Sequence, residues 1–120
     1  MHEESLVRTL LHQVDCVINE NNATAAVEVE VEIGALSGVE PALVRSAFER
    51  LSTGTRCEAS HLRICEVPLT VECVDCQSTS PLQNFVFRCP ACGGASVNIV
   101  RGDQFRLLTV TVDTTSKVTS

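Results

Sequence analysis

Two cysteine pairs carry the clearest chemistry in this sequence. Cys73-Val74-Asp75-Cys76 and Cys89-Pro90-Ala91-Cys92 each set two thiols two residues apart, with twelve residues between the pairs. A tetrahedral ion bound by four soft ligands needs two such loops, because a two-residue spacing lets both thiolates of one turn face a single point. Gly93-Gly94 follows the second pair directly, where positive φ and close backbone approach serve amide-to-sulfur hydrogen bonds. Between the pairs, Leu82, Phe85, Val86 and Phe87 are the expected core. So small a unit cannot fold on burial alone, whereas zinc contributes on the order of 10 kcal/mol or more at neutral pH. Four protein ligands leave no position for water or substrate, so the metal expected at Cys73, Cys76, Cys89 and Cys92 is structural. Iron in a rubredoxin-like site uses similar turns, and spacing does not separate it from zinc. No His lies between Cys73 and Cys92, so local exchange of a cysteine ligand for histidine is not available.

The remaining candidates carry less signal. Cys16, Cys57 and Cys65 read as small apolar filler or incidental surface thiols. His12 and His61 show no ligand spacing and read as surface residues. At the start of the chain, an α-amine, deprotonated backbone amides and the His2 imidazole could wrap a square-planar ion, a geometry suited to Ni(II) or Cu(II). On residue type alone, a histidine there is more often simply solvated.

Composition bounds what these groups can serve. At 120 residues the chain makes one domain, or one domain with a small satellite, and no large enzymatic cavity. Without Trp or Tyr, the core must come from Val, Leu, Ile and Ala. Acidic residues outnumber basic ones 12 to 5 over residues 1–72, against 3 to 4 over residues 73–120. An acidic protein without a basic stripe is a poor nucleic-acid binder. No apolar run approaches membrane-spanning length, so no membrane partner is expected. The start Met1-His2-Glu3-Glu4 lacks the basic and apolar stretches of a signal peptide, and a cytoplasmic location is expected. In that reducing setting, seven cysteines favour metal binding over disulfides.

The positioning elements follow from periodicity. Leu6, Val7, Leu10, Leu11, Val14, Val17 and Ile18 mark one face of a helix over residues 5–19, broken by Asn21-Asn22. Val27 to Ile33 alternates strictly and predicts a strand, with Glu28, Glu30 and Glu32 on its outer face. Pro41 suits a first helical turn, and Leu43, Val44, Ala47, Phe48 and Leu51 stripe a second helix. Residues 61–67 predict a second strand ended by Pro68. Residues 104–112 predict a third, with a face switch at Leu107-Leu108 that implies a bulge. The expected fold class is α+β: two helices packed on a three-stranded sheet, with an inserted zinc-ribbon-like domain. Residues 1–70 and 101–113 would form the larger domain, 71–100 the zinc-binding one, and 114–120 a flexible polar tail.

Taken in order, Met1-His2-Glu3, Ser5-Leu6 opening a helix, Ile33-Gly34-x-Leu36-Ser37-Gly38-Val39-Glu40-Pro41 with Phe48-Glu49, the two cysteine pairs and Gly102-Asp103 resemble the HypA/HybF family of hydrogenase nickel-insertion accessory proteins. The resemblance spans residues 1–113. It implies a nickel-binding α/β domain beside a zinc domain. It further implies nickel held by the Met1 amine, by His2 through imidazole and backbone, and by the Glu3 backbone, with zinc on Cys73, Cys76, Cys89 and Cys92. Glu4 departs from the apolar or neutral residue expected there, and its carboxylate could add charge near nickel or attract a different ligand. The implied partners are a nickel-handling maturation GTPase and the [NiFe]-hydrogenase large-subunit precursor, and the implied role is a nickel metallochaperone, not an enzyme.

Two other function classes compete. A zinc-ribbon module binding nucleic acid or protein fits the insert, but Asp75 and Arg88 are the only charged residues in 73–100, which argues against phosphate contacts. An enzyme would need a nucleophile–base pair, a phosphate loop or an open metal, and the sequence shows none of these.

Overall fold

The apolar spacing of residues 6–18 builds α1 (Glu3–Glu20), which buries Val7, Leu10, Val14 and Ile18. The computed structural model describes residues 3–82 and 85–114. Asn22 ends α1 by taking positive φ (52°), a conformation Asn tolerates better than most residues. Its amide then bonds Asn19 O (3.2 Å) and the Ala23 amide bonds Ile18 O (2.9 Å). The hydrophobic contact that accompanies such a cap is supplied by Ala23 and Ile18, both buried.

The alternating segment forms β1 (Ala25–Gly34), the centre of a sheet ordered β2-β1-β6. β2 (His61–Val67) lies parallel to β1, and β6 (Phe105–Asp113) antiparallel. A parallel neighbour requires a crossover, which α2 (Pro41–Leu51) provides. Both helices cover one face, where Val7, Leu10, Val14, Ile18, Val44, Ala47 and Phe48 meet Val29, Val31, Ile33 and Leu62.

Two expectations on β1 are corrected. Val27 is 48% exposed rather than part of the buried stripe. Ala26 pairs with Val112 and Glu28 with Thr111, so Val27 is an extra residue in a bulge, which turns it outward. Glu32, expected on the solvated face, is 2% exposed, because Arg101 and Arg106 close over its carboxylate. In α2, Leu43 is exposed while Val44, Ala47 and Phe48 are buried. The bulge expected in the last strand is present. Leu107 pairs with Val31 and Thr109 with Glu30, leaving Leu108 unpaired and exposed.

Beyond Pro68 lies a second three-stranded sheet, all antiparallel, ordered β4-β3-β5. Its strands are β3 (Thr70–Cys73), β4 (Thr79–Pro81) and β5 (Val97–Arg101). Its core is Leu69, Val71 and Leu82, with Val97 packed against them. The expectation that Phe85, Val86 and Phe87 share this core is corrected: they are 48%, 56% and 43% exposed. These three residues belong to no strand, and so short a sheet has one small apolar face that Leu69, Val71 and Leu82 already fill.

The two sheets join through backbone. Leu36 N–H bonds Gly102 O (2.7 Å) and Gly34 N–H bonds Gln104 O (2.8 Å). A Cβ on Gly34 would stand 2.3 Å from the Gly102 carbonyl carbon, so only glycine permits the approach.

Candidate metal centre

The two cysteine pairs fold into matching turns. In the first, the Gln77 amide bonds Cys73 O (2.9 Å) and the Cys73 amide bonds Ser78 O (3.0 Å). In the second, the Gly93 amide bonds Cys89 O (2.8 Å) and the Cys89 amide bonds Gly94 O (2.8 Å). Each turn needs positive φ at the residue after its second cysteine, met by Gln77 (63°) and Gly93 (76°). Gly94 answers a different need. A Cβ there would come 2.9 Å from the Asp75 carboxylate and 3.3 Å from Cys92 Sγ.

The result is one cage, in which the four sulfurs all lie within 4.8 Å of one another. Cys73 Sγ is 3.6 Å from Cys92 Sγ, and Cys76 Sγ is 3.5 Å from Cys89 Sγ. Bonds of 2.3 Å to a tetrahedral ion would separate sulfurs by about 3.8 Å, so the donor set fits zinc with little adjustment. Each turn contributes one buried cysteine (Cys73, Cys89) and one exposed (Cys76, Cys92).

Without a cation the cage is electrostatically uneven. The Ser78 hydroxyl, 3.5 Å from Cys89 Sγ, leads the effects that lower the Cys89 pKa to about 6. The same hydroxyl, 3.0 Å from Cys76 Sγ, also lowers the Cys76 pKa. At Cys92 the Gly94 amide favours the thiolate, but Cys73, Cys76 and Cys89 together push its pKa up to about 12. Four sulfurs crowded together cannot all ionise until a cation offsets their repulsion. Ser78 escaped the sequence reading, since a serine two residues past a cysteine pair carries no signal by itself.

Of the residues expected at nickel, Glu3 is not part of this cage. Met1 and His2 lie outside the described residues. Glu3 opens α1 and is 6% exposed, and its Oε2 accepts a hydrogen bond from the Glu40 amide at the start of α2 (3.0 Å). Glu4 is exposed and engaged by two arginines, Arg50 (2.6 Å) and Arg8 (3.4 Å). The Arg50 hydrogen bond, followed by that of Arg8, holds its carboxyl below the usual range. Among the leftover cysteines, Cys57 is buried as expected for filler, with its thiol pKa raised by burial.

Known proteins are similar to this chain in sequence and fold. The family model described as "Hydrogenase/urease nickel incorporation, metallochaperone, hypA" matches residues 1–112. The hydrogenase maturation factor HypA of Shewanella oneidensis is 36% identical over 108 residues, spanning 90% of this chain and 92% of that protein. The HypA of Aquifex aeolicus is 37% identical over 107 residues, spanning 89% and 93%. Among solved structures, the solution structure of the Ni metallochaperone HypA from Helicobacter pylori superposes with a TM-score of 0.70. It has 29% identity and covers 94% of this chain and 98% of that one. No helix among the described residues is long and apolar enough to cross a membrane. The chain therefore belongs to the HypA family of hydrogenase maturation factors, nickel metallochaperones of hydrogenase and urease nickel incorporation rather than enzymes.

Proposed function

We propose that this chain binds one Ni(II) at its N-terminal segment and delivers it to the [NiFe]-hydrogenase large-subunit precursor, exchanging it on the way with a nickel-handling GTPase in the cytoplasm. The ligands are the Met1 amine, the His2 imidazole and backbone, and the Glu3 backbone. Zinc on Cys73, Cys76, Cys89 and Cys92 is structural and folds the second sheet. The observation that carries the nickel reading is the engagement of Glu3. Its carboxylate is tied to the Glu40 amide, which suits a site that takes only backbone from this residue and anchors it where α1 and α2 begin. Such a site releases its ion readily, as delivery requires, because it hangs on one helix end rather than a closed cage.

The test is nickel titration of protein that begins at Met1, with X-ray absorption on the loaded form, comparing wild type with His2→Ala. Loss of one imidazole and tenfold or greater weakening of nickel binding, with failure of hydrogenase maturation in cells, is the expected result. Unchanged affinity and unchanged maturation in His2→Ala would refute it. A tag ahead of Met1 would remove the amine ligand and must be cleaved first.

A further inference from the structure

Two residues that neither the cysteine cage nor the N-terminal segment uses stand together on the solvent face of α1. His12 and Cys16 are both exposed, one helical turn apart, with His12 Nε2 3.9 Å from Cys16 Sγ. We propose that they form an accessory site for one divalent ion of tetrahedral preference and borderline softness, zinc being the representative.

Three features support the site. The first is the scaffold: the sequence gives no ligand signal at His12 or Cys16, but on α1 they stand four residues apart and project from the same face, the spacing by which helical metal sites bring two side chains onto one ion. The second is the donor separation. A tetrahedral ion with bonds of 2.3 Å to sulfur and 2.0–2.1 Å to nitrogen holds its donors about 3.6 Å apart, and a square-planar one about 3.1 Å. The observed 3.9 Å is nearer the first value, so a small side-chain rotation accommodates zinc or cobalt more readily than square-planar nickel. The third is the charge around the pair. Arg8, the preceding residue on this face, is drawn to Glu4, and Asp15 beside Cys16 is paired with Arg56. At 3.9 Å the two side chains make only a long sulfur contact with each other, so an ion displaces little.

Two protein ligands leave the other positions to water. The site is therefore open and exchangeable, in contrast to the closed four-cysteine cage. It does not depend on the nickel assignment at His2.

The probe is Co(II) added to zinc-loaded protein carrying His2→Ala, so that the cage is full and the N-terminal site disabled. A four-coordinate cobalt thiolate announces itself by sulfur-to-cobalt charge transfer and intense visible bands. One equivalent with those bands is expected. Cys16→Ser should abolish the charge transfer, and His12→Gln should weaken binding by about tenfold or more, since the chelate is lost. Both positions are exposed, so the far-ultraviolet dichroism and the caged zinc should be unchanged in each variant. Absence of the bands at millimolar cobalt, or their persistence in Cys16→Ser, would overturn the proposal.

Discussion

Glu32 in the first sheet and Arg101 in the second meet at 3.0 Å, an ion pair that spans the junction between the two sheets. Arg106 of β6 adds a second contact to the same oxygen at 3.4 Å. The carboxylate is buried, whereas each guanidinium is about half exposed, so desolvation falls mainly on Glu32. Burial alone would raise its pKa. The Arg101 hydrogen bond and the charges of Arg106 and Arg101 outweigh that and leave it lowered.

Glu32→Gln should therefore destabilise the protein by about 1–2 kcal/mol at pH 7, the scale of one charge-assisted hydrogen bond to a partly solvated partner. A lowered folded-state pKa contributes stability that is fully present above the unfolded value, about 4.3. That contribution is lost as pH falls through the depressed folded value. Denaturant melts of wild type and Glu32→Gln should accordingly differ at pH 7 and converge as the pH drops below about 4. Curves that stay parallel across that range would show that the ionised carboxylate is not what the junction uses.

Gly102 makes a sharper geometric demand. Its φ is +98°, and an added Cβ would stand 2.4 Å from Pro68 O and 2.6 Å from Leu69 Cα. Gly54 has a similar φ of +81° with open space around it. Gly54→Ala should cost about 1 kcal/mol from backbone strain alone. Gly102→Ala should cost at least about 2 kcal/mol more, because backbone must move. Thermal melts of the two variants separate the terms, and equal midpoints would remove the close-approach argument.

Ser78 touches both turns of the cage through one hydroxyl, 3.0 Å from Cys76 Sγ and 3.5 Å from Cys89 Sγ. Donation to a metal-bound thiolate steadies it, and losing an outer-shell partner of this kind weakens metal binding by roughly 10–100-fold. Zinc-loaded Ser78→Ala should release zinc to a chromogenic chelator at least about tenfold faster than wild type, while Ser78→Thr keeps the slow rate. Identical release from Ser78→Ala and wild type would assign the hydroxyl no role at the metal.

The short-range features of this protein were legible in its sequence, because each depends on neighbours along the chain. The 3- and 4-residue spacing of Leu6 to Ile18 yields α1, Pro41 marks the first residue of α2, and Pro68 follows the last residue of β2. The cysteine pairs bring their sulfurs together because a Cys-x-x-Cys turn closes on itself. The face switch at Leu107-Leu108 was visible as a break in alternation.

Tertiary structure decided what depends on residues far apart. Strand alternation assigns faces only while register is continuous, and the bulge at Val27 turns an apparent core residue outward. Alternation placed Glu32 on the solvated face, but arginines 69 and 74 residues away close over its carboxylate and offset the cost of its burial. The β3, β4 and β5 strands carry no clear alternation, since the apolar cluster of their small sheet is just Leu69, Val71 and Leu82 with Val97 packed against it. Glu3 reads as one more acidic residue at a helix start until the fold sets the Glu40 amide against it, 37 residues on. Local pattern fixes which elements form, whereas partner identity arises from chain closure over long separations, which one-dimensional periodicity does not record.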